Sequence, residues 1–189
     1  MMTKSLTYYF THILIWSLFP VALLAQELES NLAWQKVTLE KAGCTVLAPG
    51  PLTEKVDTVE TPIGKIAYHT YYYQSSAKGP ENFFYMLSYC QYPEGAVHSD
   101  STELLADFFS TTIESAAASV DGDVIFANEI TLGDYPGRFW RINYLDDQVI
   151  IRTKAYMVEN RYYAIQTIMH RDRSLNPASD RFLDSLRLF

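Results

Sequence analysis

The stretch from 124 to 170 restricts this chain's fold more than any other part. Four runs, 124–132, 138–145, 148–158 and 162–170, are rich in β-branched and aromatic residues, and Gly133-Asp134, Asp146-Asp147 and Glu159-Asn160 separate them. Strand formers divided by residues that tolerate positive φ read as a four-stranded antiparallel meander. Within 148–158 the odd positions Val149, Ile151, Thr153, Ala155 and Met157 alternate with Arg152, Lys154 and Tyr156. That period of two predicts one buried face and one more polar face. Such a sheet needs a cover for its apolar side.

Two segments supply covers. After Ser99-Asp100-Ser101, the residues Leu104, Leu105, Phe108, Phe109, Ile113, Ala116, Ala117 and Val120 recur at three- and four-residue spacing, which predicts a long amphipathic helix over about 101–120. Asp100 and Glu103 are placed as a capping box, and Asp121-Gly122-Asp123 ends the helix. Near the C-terminus, Asn176-Pro177 is a cap followed by proline at the first helical position, so a short helix is expected over about 177–187, with Phe182, Leu183 and Leu186 on its docking face. Upstream, 37–47 is strand-like and stops at Ala48-Pro49-Gly50-Pro51, and 55–60 is extended and polar. Runs 63–74 and 83–92, joined by a turn containing Gly79-Pro80, read as an antiparallel pair. Strands, helix, meander and helix in that order describe an α+β chain built on an antiparallel sheet.

The first 25 residues have a different character. Lys4 precedes a mostly apolar run, 6–24, and small Ala22 and Ala25 stand just before the polar Gln26-Glu27. This is the order of a secretory signal peptide, cut after Ala25, with Ala22 as the other site. The run approaches the roughly 20 residues of a membrane span, so an uncleaved anchor is the competing reading. Thr7, Thr11, His12, Ser17 and Pro20 interrupt it. With no cysteine near the cut, attachment through a lipidated first residue is excluded. The expected product is an exported protein, periplasmic or secreted, with one domain over 26–189 and no stable membrane insertion. The full chain has a net charge of -7, and loss of Lys4 with the leader makes it more negative still. An acidic surface is a poor match for nucleic acid or anionic lipid.

The order of these elements, with the early strand running into Leu47-Ala48-Pro49-Gly50-Pro51, the Gly133-Asp134-Tyr135-Pro136-Gly137-Arg138 turn, the Asn160-Arg161-Tyr162-Tyr163 hairpin and the closing Phe182-Leu183-Asp184-Ser185-Leu186, resembles the PsbP-like family. The resemblance implies an α/β/α sandwich with a central antiparallel sheet. It also implies a non-enzymatic accessory role: plant and cyanobacterial members attach to photosystem assemblies, and a fold relative binds a small GTPase. No binding residue is carried over from the family.

The residues themselves bear little recognisable chemistry. No HExxH, GxSxG, GxGxxG or P-loop pattern occurs, so neither a catalytic site nor a cofactor is expected. His98 with Asp100 fits a solvated loop before a helix better than a metal site, and Asp146-Asp147 fits a hairpin turn better than a catalytic carboxylate pair. Cys44 and Cys90 allow two readings in an oxidising compartment: a bridge contributing about 4 kcal/mol, or two buried free thiols. Among the basic residues of the meander, Arg138, Arg141, Arg152, Lys154 and Arg161, the trio Arg152, Lys154 and Tyr156 forms a patch for an acidic protein partner, weighed against a solvated sheet face. Tyr71 and Tyr73, on the strand face opposite Tyr72, form a platform for a small apolar or carbohydrate ligand. A binding or assembly module is therefore the first functional expectation, and a ligand carrier with a Tyr/Phe-lined pocket the second.

Overall fold

Strand alternation and turn chemistry place the sheet as the sequence leads one to expect, and long-range pairing closes it. The computed structural model describes residues 34–61, 64–75 and 81–189. The signal-peptide segment, the start of the expected 26–189 domain and the Gly79-Pro80 turn lie outside the described residues. Among the described residues ten strands form: β1 (Gln35–Leu39), β2 (Cys44–Ala48), β3 (Thr53–Thr61), β4 (Gly64–Gln74), β5 (Phe84–Gln91), β6 (Asp123–Leu132), β7 (Tyr135–Tyr144), β8 (Val149–Val158), β9 (Arg161–His170) and β10 (Arg187–Leu188). The α-helices among the described residues are α1 (Thr102–Ala118) and α2 (Pro177–Leu183). A seven-stranded sheet runs in the order β3-β4-β5-β9-β8-β7-β6, and a three-stranded sheet in the order β1-β2-β10. The meander is β6 to β9, and β5 joins it by pairing with β9.

The turn residues do what their chemistry permits. Gly133, Asp146, Asp147 and Glu159 all have positive φ, each at an expected hairpin. Strand β7 starts at Tyr135, earlier than Pro136 suggests. Its pairing with β8 begins only at Gly137, so the missing N–H of Pro136 interrupts no bond on that side.

One face of the large sheet packs on α1. Leu105, Phe109, Ile113 and Ala117, spaced four apart, are buried against Ile142, Ile151, Ala155, Met157 and Cys90. The expected capping box is not formed. Ser101 is the N-cap and makes no side-chain cap bond; the Asp100 amide donates to His98 Nδ1 at 3.3 Å. At the other end Gly122 donates to the Ala117 carbonyl at 3.0 Å, and a Cβ there would stand 2.7 Å from the Ile142 side chain. The sharp exit needs a residue without one.

The opposite face carries α2 and the small sheet. Phe182, Leu183 and Leu186 are buried as expected, and Asn176 Oδ1 accepts from Ser179 N at 2.7 Å as the N-cap. The helix is shorter than 177–187, because Arg187 and Leu188 extend to pair with Thr45 and Cys44. The early strand is likewise divided. Gly43, with φ of 63°, ends a 3-10 turn over Glu40–Ala42 and separates β1 from β2. Both faces of the central sheet are thus covered, which gives the layered α+β architecture that the family resemblance implies.

Candidate functional site

Pairing register decides which side chains meet on the α2 side of the sheet. Arg152, Lys154 and Tyr156 do share that face, but as a seat for α2 rather than an open patch. Arg152 donates to Asp180 Oδ1 at 2.8 Å and to Ser179 Oγ at 3.1 Å, and Lys154 is bonded to Asp184. Both cations lie over the Phe139 ring, at 5.4 and 5.3 Å from its centroid, and their side chains are only 18 and 20 % exposed. Tyr156 is buried, and its ring crosses Gly137, where a Cβ would meet it at 2.5 Å. The sequence could not anticipate this, because the acids that quench the patch come from a segment about thirty positions away.

Among the described residues lining the groove on this face, the cation without a carboxylate is Arg141. It sits directly across from Arg152 in the β7–β8 register, an arrangement of like charges that destabilises a sheet unless something compensates. Arg152 has Asp180; Arg141 has a neutral amide. Arg141 Nε donates to Asn143 Oδ1 at 2.8 Å, and Asn143 Nδ2 donates in turn to Asp147 Oδ1 at 2.8 Å. Among the described residues no carboxylate pairs with Arg141 and no group accepts from its terminal nitrogens. Burial, then the nearby Arg171 and Arg152, lower its pKa against the weaker pull of Asp147. The guanidinium lines a groove of about 520 Å³ together with Phe126, Phe139, Arg152, Leu175 and Asp180. Phe126 and Phe139 meet edge to face at 5.1 Å, and Leu175 is 98 % exposed at the groove's margin. The signal for Arg141 lies in the strand register, which sets it opposite its neighbour's arginine and which the sequence alone does not give.

On the α1 side a second groove, of about 510 Å³, opens between helix and sheet, lined by Tyr68, Tyr92, Val97, Leu104, Phe108 and Thr112. The hydroxyls of Tyr68 and Tyr92 are 3.4 Å apart. The buried Cys90 thiol hydrogen-bonds with both; its pKa is raised by burial, which outweighs these bonds. Burial also holds the Tyr92 hydroxyl up at about 12 and raises that of Tyr68. This groove is aromatic and hydroxylated, with Asp107 as its one charged lining residue.

Sequence-family models and the curated proteins give no match to this chain. Among solved structures, the solution structure of cyanobacterial PsbP (CyanoP) from Synechocystis sp. PCC 6803 superposes with a TM-score of 0.56, covering 83 % of this chain and 93 % of that one at 11 % identity. The fold is PsbP-like. At that identity the likeness extends to architecture alone.

Within the PsbP-like fold the remaining sequence candidates fall as follows. Tyr71 and Tyr73 share a face, as alternation requires, but neither forms an open platform. Tyr71 is buried, its ring parallel to Tyr89 at 6.4 Å and its hydroxyl donating to Glu54 at 3.2 Å. Tyr73 packs on Tyr85 and on Gly50, where a Cβ would come within 2.5 Å of its ring. Cys44 and Cys90 are both buried free thiols. The first belongs to the small sheet and the second faces α1, so the seven-stranded sheet stands between them and the bridge is not formed. Burial pushes the Cys44 thiol up to about 12 despite the Arg161 charge. His98 stands 3.4 Å from Asp100 in a partly exposed loop, and Asp147 bonds Asn143 and lies 3.5 Å from Arg171. Among the described residues no three of His, Cys, Asp and Glu gather as a metal site, and no helix is long and apolar enough to cross a membrane.

Proposed function

We propose that this chain is an exported, non-catalytic binding module that receives an acidic protein partner in the α2-side groove. The observation that carries this reading is Arg141, a partly buried guanidinium without a carboxylate on it, set between aromatic walls on a protein of net charge -7. A cation kept unpaired on an acidic protein favours an incoming negative group and disfavours basic ones. The test is a photo-crosslinking residue at Leu175, with one at Lys36 as the control position. An acidic exported protein joined at 175 and absent at 36 is the expected result, and identical adducts at both positions would remove the reading. Export rests on the leader-like first 25 residues. Material recovered outside the cytoplasm should begin at Gln26, whereas a chain retaining Met1 would count against it.

The α1-side groove favours a second reading, a carrier for a small uncharged ligand, because it joins Tyr and Phe walls to two hydroxyls at one end. N-phenyl-1-naphthylamine should bind there saturably and be displaced by Thr112→Trp, which fills the groove. Equal fluorescence enhancement in both proteins would end this reading.

A further inference from the structure

We propose that Arg141 is the specificity-determining residue of the α2-side groove, its terminal guanidinium edge taking a single carboxylate while Phe126 and Leu175 take an apolar side chain beside it. This rests on the binding-module reading and deepens it by naming what the groove recognises: an acidic residue next to an aromatic or aliphatic one.

The fork is held ready by its neighbours. Asn143 is 7 % exposed, and an amide has a donor end and an acceptor end. Asp147 can only accept, so it draws Nδ2 and turns Oδ1 toward Arg141 Nε. The guanidinium plane is thereby fixed through one nitrogen. Its two terminal nitrogens, with four N–H donors, have no acceptor among the described residues. A carboxylate meets such an edge with two parallel bonds, a geometry an ammonium cannot offer.

Position decides between the two arginines. Arg152, one strand away, spends its Nη2 on Asp180 and its Nη1 on Ser179. Only Arg141 remains to receive an anion. Asp180, 60 % exposed and lining the same groove, disfavours a doubly charged phosphate more than a singly charged carboxylate. The apolar half follows from the walls: the Phe126–Phe139 pair and a leucine that is 98 % exposed give an aromatic or aliphatic neighbour somewhere to pack.

The experiment is an NMR titration of the ¹⁵N-labelled exported protein, following the Arg141 Nε–H resonance, identified by its absence in Arg141→Lys, and the backbone amides of Phe126, Asn143 and Leu175, which report binding in the variants as well. N-acetyl-glutamyl-phenylalanine amide should shift that resonance saturably, its glutaminyl counterpart should not, and inorganic phosphate should bind more weakly than the glutamyl probe. Arg141→Lys should weaken the glutamyl probe about tenfold or more, as loss of a charge-assisted bond predicts, with its thermal unfolding unchanged. Leu175→Ser, on a side chain that supports no packing, should weaken it several-fold yet leave N-acetyl-glutamyl-alanine amide unaffected. Binding to Arg141→Lys as tight as to the parent overturns the inference, as does equal binding of the glutaminyl probe, tighter binding of phosphate, or no saturable shift at all. The broader reading is tested separately: if the photo-crosslinking residue at position 175 joins an acidic partner equally well in Arg141→Lys, the module stands and only the fork is lost.

Discussion

The two grooves have almost the same volume, about 510 Å³ beside α1 and about 520 Å³ beside α2, and nearly opposite chemistry. They flank one sheet, so the difference is a matter of parity. On β8, Ile151, Ala155 and Met157 belong to the α1-side core, while Arg152 and Lys154 reach the acids of α2. On the α1 side the polar groups at the groove end are hydroxyls and a thiol that satisfy one another. On the α2 side they are guanidinium groups that repel one another and need acids. A groove end whose hydroxyls and thiol satisfy one another has little to gain from a charged partner. The groove beside α2 holds one charge in reserve.

That contrast is tested most strongly by removing the ring that anchors each cover. Phe109 and Phe182 are 1 and 0 % exposed, and replacing either by alanine should cost about 3–5 kcal/mol in urea unfolding. Only Phe182→Ala should also alter binding of the glutamyl probe, since it loosens the segment bearing Asp180. Equal effects of both variants on that binding would show that the faces are not independent.

Raising the pH should weaken both faces alike. Cys44 and Tyr156 on one side and Tyr92 on the other are each pushed up to about 12 by burial, above ordinary values of 9.0 for the thiol and 10.0 for the phenols. A group with its folded pKa raised stabilises fully below its unfolded value and loses that contribution as pH climbs through the folded one. The unfolding temperature should therefore fall steadily between pH 9 and 12. In the same samples at pH 8, iodoacetamide should modify neither thiol until denaturant is added, and then both. Prompt labelling of one thiol in the folded protein would show that its face opens more readily than the other.

A smaller effect is expected at Gly137. Its added Cβ would stand 2.3 Å from the Ala155 carbonyl and 2.5 Å from the Tyr156 ring, so Gly137→Ala should cost about 1–3 kcal/mol in urea unfolding and disturb the α2 side first. The smallest change in stability belongs to Asp180→Asn, under about 1 kcal/mol, because the carboxylate is 60 % exposed and Arg152 keeps Ser179 and the Phe139 ring. It should nevertheless tighten binding of the glutamyl probe in the same titration by freeing Arg152. Unchanged affinity would mean that Arg152 is held away from the groove by Ser179 and the Phe139 ring alone.

What could be read from the sequence was whatever depends on neighbours along the chain. The meander followed from alternation and from Gly133, Asp146, Asp147 and Glu159, whose positive φ the structure shows. The long helix followed from the Leu105, Phe109, Ile113, Ala117 stripe. The small sheet was not legible, since it depends on Leu188 finding Cys44 across most of the chain. The candidate sites failed for the same reason. Arg152 and Lys154 look free until Asp180 and Asp184 arrive, and Arg141 looks ordinary until its strand is set in register with Arg152.

The three-stranded sheet has a topological consequence. Strands β1 and β10, the first and last of the described structure, both flank β2. Phe189 donates its amide to the Gly43 carbonyl at 3.1 Å, so β10 ends beside the turn that leads into β2. The small sheet therefore cannot be completed during synthesis until residues 187–189 have been made, long after β1 and β2.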